Sequence, residues 1–147
     1  MASGLKDAIR EDMNEARKAG DRFRSTVLSM VLSDIRNREI ELRGEIGDEG
    51  VRGVLAKAVK QREEAAAQMR EGGRPELAEK EEREVVLLSE YLPPPLSEDD
   101  VRALVREAIE DGAEAIGPIM GRLIPEIRGR FDGGEASRIV REELAAR

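Results

Sequence analysis

Three consecutive prolines, Pro93-Pro94-Pro95, set between Leu92 and Leu96, constrain this chain more than any other feature. Each proline lacks an amide donor and restricts the residue before it, so neither a helix nor a central strand runs through them. The 147 residues are therefore read as two domains, residues 1–92 and 93–147. Three prolines form a stiff strut that few contacts cross, and a mobile hinge is expected there.

On both sides of the strut the apolar residues recur at helical spacing. In the first part, Leu5, Ile9, Met13 and Ala16 follow Ser3, a candidate N-cap, and stop at Gly20. Asp21 is placed to cap a second helix through Val27, Leu28, Val31, Leu32 and Ile35, continuing more weakly through Ile40 and Leu42 to Gly44. Gly47-Asp48-Glu49-Gly50 reads as a break. A third pattern then uses Val51, Leu55, Ala58, Val59, Ala65, Ala66 and Met69, and ends at Gly72-Gly73. Pro75 suits the first turn of a fourth, with Leu77, Val85, Leu88 and Tyr91 inward.

Beyond the strut, Ser97-Glu98-Asp99-Asp100 has the form of a capping box opening a helix through Val101, Leu104, Val105 and Ile109 to Gly112. Gly117-Pro118 starts a shorter helix with Ile119, Met120, Leu123, Ile124 and Ile127, which Pro125 is expected to kink or end. The last uses Ala136, Ile139, Val140 and Leu144. Aromatic residues make up only 2% of the chain, so its cores are aliphatic, which suits helix-on-helix packing. The expected fold is all-α: an N-terminal antiparallel bundle of about four helices, joined by the proline hinge to a small three-helix C-terminal domain.

The chemistry available is narrow. With no cysteine and no histidine, the chain lacks a thiolate nucleophile, a disulfide framework and the commonest acid/base group and metal ligand. Adjacent acidic pairs such as Glu63-Glu64 and Glu81-Glu82 diverge by about 100° on a helix and share no site. No calcium-loop, phosphate-loop or zinc spacing accompanies them. No catalytic residue, cofactor or metal is expected. No segment is long and apolar enough to span a bilayer, so a soluble cytoplasmic protein without membrane contact is expected. Arg36, Arg38 and Arg43, like Lys57, Lys60 and Arg62, have Glu39, Glu41, Glu63 and Glu64 as neighbours, and local ion pairing is the expected role. Tyr91, just before the prolines, is expected to pack at the hinge.

The net charge of −7 opposes broad nucleic-acid binding. Between Gly117 and Arg141, however, five arginines (Arg122, Arg128, Arg130, Arg138, Arg141) meet three acids (Glu126, Asp132, Glu135), a local balance of 5 − 3 = +2. Within it, Arg128-Gly129-Arg130-Phe131-Asp132-Gly133-Gly134 sets two planar guanidiniums at a glycine turn ahead of a helix start, a candidate phosphate site. Asp132 and Glu135 have capping-box spacing and compete for the helix-start amides, and Phe131 is read as a core plug.

These residues resemble a known family. Lys60-Gln61-Arg62-Glu63, Gly73-Arg74, the run from Glu76 to Glu84, and Leu88-Ser89-Glu90-Tyr91-Leu92-Pro93 followed by Leu96-Ser97-Glu98 are similar to the YqeY-like proteins. The tail from Gly117 to Leu144 resembles that family's C-terminal domain through Met120-Gly121, Pro125, Gly129-Arg130 and Asp132-Gly133. That domain is shared with the B subunit of the glutamine-dependent aminoacyl-tRNA amidotransferase. The resemblance implies a bacterial, non-catalytic accessory protein that contacts tRNA through Arg122, Arg128, Gly129, Arg130 and Arg138. It also implies a domain-level label of carbon–nitrogen ligase activity with glutamine as amide donor, although the chain has no Ser/Lys amidase constellation and no ATP-binding loop. Pro118, Glu126 and Gly134 stand where relatives often carry lysine, removing positive charge from the implied face. The alternative is a protein-interaction module whose last helices dock on a translation-related enzyme, a contact that charged substitutions at Ile139 or Val140 are expected to remove.

Overall fold

The computed structural model describes residues 4–147, so the expected cap at Ser3 lies outside the described residues. All regular structure in them is helical, and it divides into two compact units, one ending at Leu92 and the other beginning at Pro93.

The first unit holds α1 (Leu5–Lys18), α2 (Arg22–Leu42), α3 (Asp48–Glu71) and α4 (Pro75–Ser89). The α1/α2 and α3/α4 links, residues 19–21 and 72–74, are only three residues long, and each linked pair packs side by side as an antiparallel hairpin. Ile9, Leu28, Val31, Ile35, Leu55 and Leu88 form the centre of an aliphatic core. Asp21 caps α2 by accepting from the Arg24 N–H at 3.0 Å. The start of α1 is capped from a distance: its Leu5 N–H donates to the Asp48 carboxylate at 2.9 Å, across 43 residues of sequence. Glu39 ties the same end together, accepting from Lys6 Nζ at 2.9 Å and from the Ile46 N–H at 3.2 Å.

Several sequence expectations are revised in this unit. The break between α2 and α3 falls at residues 43–47, earlier than expected, because α3 starts at Asp48 and takes Gly50 into its first turn, leaving only Gly47 of the Gly47-Asp48-Glu49-Gly50 stretch outside the helices. A side chain at Gly50 would come within 2.6 Å of Ile46, so glycine lets the connecting chain cross the helix start closely. The inward face of α4 carries Ala78, Glu84, Leu87 and Leu88, whereas Leu77 and Val86 are exposed. Arg62 does form an ion pair, but with Glu84 across the hairpin and not with its sequence neighbours Glu63 or Glu64. It is buried, its Nε donating to Glu84 at 2.9 Å and its Nη1 to the Ala58 carbonyl at 3.0 Å. A shallow cleft of about 240 Å³, lined in part by Phe23, Val27 and Met30, opens over this ion pair. Tyr91 packs on the same core and donates to Asp12 at 2.5 Å while accepting from Arg24 at 3.3 Å.

The second unit holds α5 (Glu98–Glu110), α6 (Ile116–Ile127) and α7 (Gly133–Ala145), each packed on the other two around Val101, Val105, Ile119, Leu123, Ile139 and Val140. The capping box at Ser97 is complete: its hydroxyl accepts from the Asp100 N–H and its own N–H donates to the Asp100 carboxylate, both at 3.0 Å. Pro125 does not end α6, which continues to Ile127; the carbonyl that proline leaves without a donor belongs to Gly121, an exposed residue. Among the described residues no helix is long and apolar enough to cross a membrane.

Candidate docking face of the C-terminal unit

Arg102, Arg122, Arg130 and Arg138 of the C-terminal unit are already engaged. Arg122, on α6, reaches Glu107 on α5 at 3.7 Å and Asp111, just beyond the end of α5, at 2.7 Å. Arg138, on α7, pairs with Glu98 at 3.1 Å, Glu135 at 3.0 Å and Glu142. Arg102 joins the same patch through Glu98 at 2.8 Å, Glu142 at 2.6 Å and Glu143 at 3.2 Å. Hydrogen bonds from these guanidiniums hold the carboxyls of Glu98 and Glu142 below the ordinary carboxylate range, and the carboxylates raise Arg138 and Arg102 in return.

Arg130 is turned back on the proline strut. Its Nε donates to the Pro94 carbonyl at 3.0 Å, and its own carbonyl accepts the Leu96 N–H at 2.8 Å. These two hydrogen bonds tie the strut to the C-terminal unit, of which it is the first segment. Gly129 supplies the left-handed backbone (φ 75°) that brings Arg130 into place. Arg128 is half-buried and has a partner of its own. Asp132 caps α7 by accepting from the Glu135 N–H at 3.0 Å, and Glu135 pairs with Arg138. Phe131 packs against the core. Arg128, Gly129 and Arg130 thus sit together at the α6–α7 turn, whereas Arg122 and Arg138 sit on different helices, each ion-paired with carboxylates.

Ile139 and Val140 are fully buried in the core, so they form no docking face, and charged substitutions there would unfold the unit rather than remove a partner. The exposed apolar surface lies on α6 instead. Only Arg122 and Glu126 are charged in this helix. Its inward residues are Ile119, Leu123 and Ile127. At about 100° per residue, Ile124, Gly117, Gly121, Pro125 and Pro118 fan over the outward arc, and all five are exposed. Ile116 and Ile124 are 36% and 39% exposed. Helical spacing alone assigns Ile124 to the interior because it gives α6 a wider apolar face than a three-helix unit can cover. The sequence signal for the outward arc is its lack of charge in a chain that is 39% charged.

A family model described as Yqey-like protein matches residues 6–144. Among curated relatives, the chain is 32% identical over 128 residues to "Altered inheritance of mitochondria protein 41, mitochondrial" of Kluyveromyces lactis, covering 85% of this chain and 68% of the relative. The protein of the same name from Lachancea thermotolerans is 29% identical, with 70% of this chain and 57% of the relative covered. That from Pyrenophora tritici-repentis is 23% identical, with 95% and 80% covered.

Proposed function

The chain belongs to the YqeY-like family, and we propose that it is a non-catalytic accessory protein whose C-terminal unit docks on a protein partner through α6. The observation that carries this reading is the charge-free outward arc of α6, beside arginines already paired with carboxylates or carbonyls. Apolar surface left exposed as one patch marks interaction sites more reliably than isolated exposed residues do. The chain's lack of histidine and cysteine supports a role without chemistry of its own; glutamine-dependent amidation by the purified chain would overturn that. The docking reading is tested by retention of partners from a cell extract on immobilised protein. Retention that survives high salt and disappears with Gly121→Arg is expected, and retention that falls with salt and ignores Gly121→Arg would refute it.

A second reading, tRNA binding through Arg122, Arg128, Gly129, Arg130 and Arg138, draws support from one feature. Arg122 and Arg138 are 44% and 41% exposed in their ion pairs, and surface pairs are worth only about 0–1 kcal/mol, so phosphates can compete for them. The amidotransferase link and the ligase label rest on family resemblance alone. Fluorescence anisotropy with tRNA over a salt series tests this reading. Removal of Arg122 and Arg138 should lower the salt slope by about one unit for each phosphate no longer neutralised, and an unchanged slope would remove these two residues from the site.

A further inference from the structure

We infer that the occupant of α6 is a second copy of this chain, two α6 helices packing antiparallel about a two-fold axis at Gly121; this rests on the docking reading above and names its partner. Charge is the first argument. The C-terminal unit has eight arginines and no lysine (102, 106, 122, 128, 130, 138, 141, 147) against twelve acids (98, 99, 100, 107, 110, 111, 114, 126, 132, 135, 142, 143), so 8 − 12 = −4, and the whole chain is −7. Two copies repel across charged faces, and the α6 arc lets them meet without burying a charge.

Register is the second argument. The five arc residues, 117, 118, 121, 124 and 125, are centred on Gly121, which also lies midway around the arc. In an antiparallel pair about that point, position numbers on the two copies sum to 242. Gly117 then faces Pro125 of the other copy, Pro118 faces Ile124, and Glu114, just ahead of α6, falls opposite Arg128, just behind it. The ends of the interface are thus of opposite charge, whereas a parallel pairing would set Glu114 against Glu114. Side chains added at Gly117 or Gly121 would meet nothing within 4 Å, so these positions are open to a close helix. One helix face is smaller than the roughly 800 Å² per partner of a stable interface, so the association is reversible.

The chain has no cysteine, which makes a clean test available. Single variants Gly121→Cys, Gly117→Cys and Pro125→Cys are made in the full-length protein, with Ser89→Cys as an exposed control for random oxidation. Disulfide formation demands Cα atoms within about 7 Å. Self-association about Gly121 is supported by rapid cross-linking of Gly121→Cys alone, and of Gly117→Cys only when mixed with Pro125→Cys. Sedimentation should show a concentration-dependent dimer whose dissociation constant rises at least about tenfold in Gly121→Arg, a change of about 1.4 kcal/mol, and also rises in Glu114→Arg. The proposal is overturned if Gly117→Cys cross-links with itself, or if no variant exceeds the control and the protein sediments as a monomer at every concentration. If it fails this way while Gly121→Arg still abolishes salt-resistant retention of an extract protein, α6 docks on a different partner; if that retention is also absent, the docking reading fails with it.

Discussion

Arg62 and Glu84 form a buried ion pair inside the N-terminal unit. Their side chains are 10% and 9% exposed, so removing one partner leaves a buried charge uncompensated, while removing both does not. Arg62→Met is expected to destabilise the N-terminal unit by about 3–5 kcal/mol, and Arg62→Met with Glu84→Leu to recover most of it in denaturant titration. Tyr91 offers a spectroscopic check on the neighbouring network. Burial, and next the hydrogen bond to Asp12, push its phenol up to about 12. Because the folded value lies above the unfolded value of about 10, its contribution to stability is full below pH 10 and lost as pH rises through 12. As the chain's only tyrosine, with no tryptophan beside it, its ultraviolet titration is unobscured, and Asp12→Asn should move the midpoint down.

At the scale of elements, caps decide where the helices of the C-terminal unit begin. Ser97 and Asp132 each satisfy a helix-start amide, and Ser97→Ala or Asp132→Ala should cost about 0.5–2 kcal/mol, read as a lower melting temperature of this unit. Ser97→Asp should restore most of the loss, since an aspartate also accepts at that position. These caps were legible in the sequence because capping is local, involving residues three apart. The cap on α1 was not, since its acceptor, Asp48, comes from the start of α3 and no nearby spacing announces it. The inward face of α4 was legible only in part: spacing placed Leu88 inward, but it also favoured Leu77, where packing against α3 turned Ala78 and Glu84 inward instead.

For the whole molecule, acid sensitivity should be uneven. Glu98, Asp100, Glu142 and Glu143, all in the C-terminal unit, are held below the ordinary carboxylate range, against Glu39 and Glu82 in the N-terminal unit. Hydrogen bonds from arginines are the main cause at Glu98, Glu142 and Glu143, and the Ser97 N–H is at Asp100. A depressed folded value stabilises above the unfolded carboxylate range of about pH 4, and the benefit is lost as pH falls through the folded values. Between pH 5 and 2 the C-terminal unit is therefore expected to lose melting temperature faster than the N-terminal one, followed by calorimetry or by site-resolved amide exchange. Equal losses in both units would show that these exposed networks contribute little.

Periodicity, the proline run and the scarcity of aromatics by themselves determined an all-α chain, because helix formation and its interruption are set by residues within a few positions of each other. The local caps at Asp21, Ser97 and Asp132 belong to that same short range. Local pairs such as Arg38–Glu41, Arg102–Glu98 and Arg138–Glu135 follow helical spacing too. Tertiary structure alone decided the long-range partners. Arg62 chose Glu84, 22 residues away, over the adjacent Glu63, and Arg130 took the Pro94 carbonyl in place of solvent. It also decided that Ile139 and Val140 are interior while Ile124 is not. Long-range charge pairing and burial depend on which helices meet and at what rotation, and that is a property of the packed molecule, invisible to spacing along one helix.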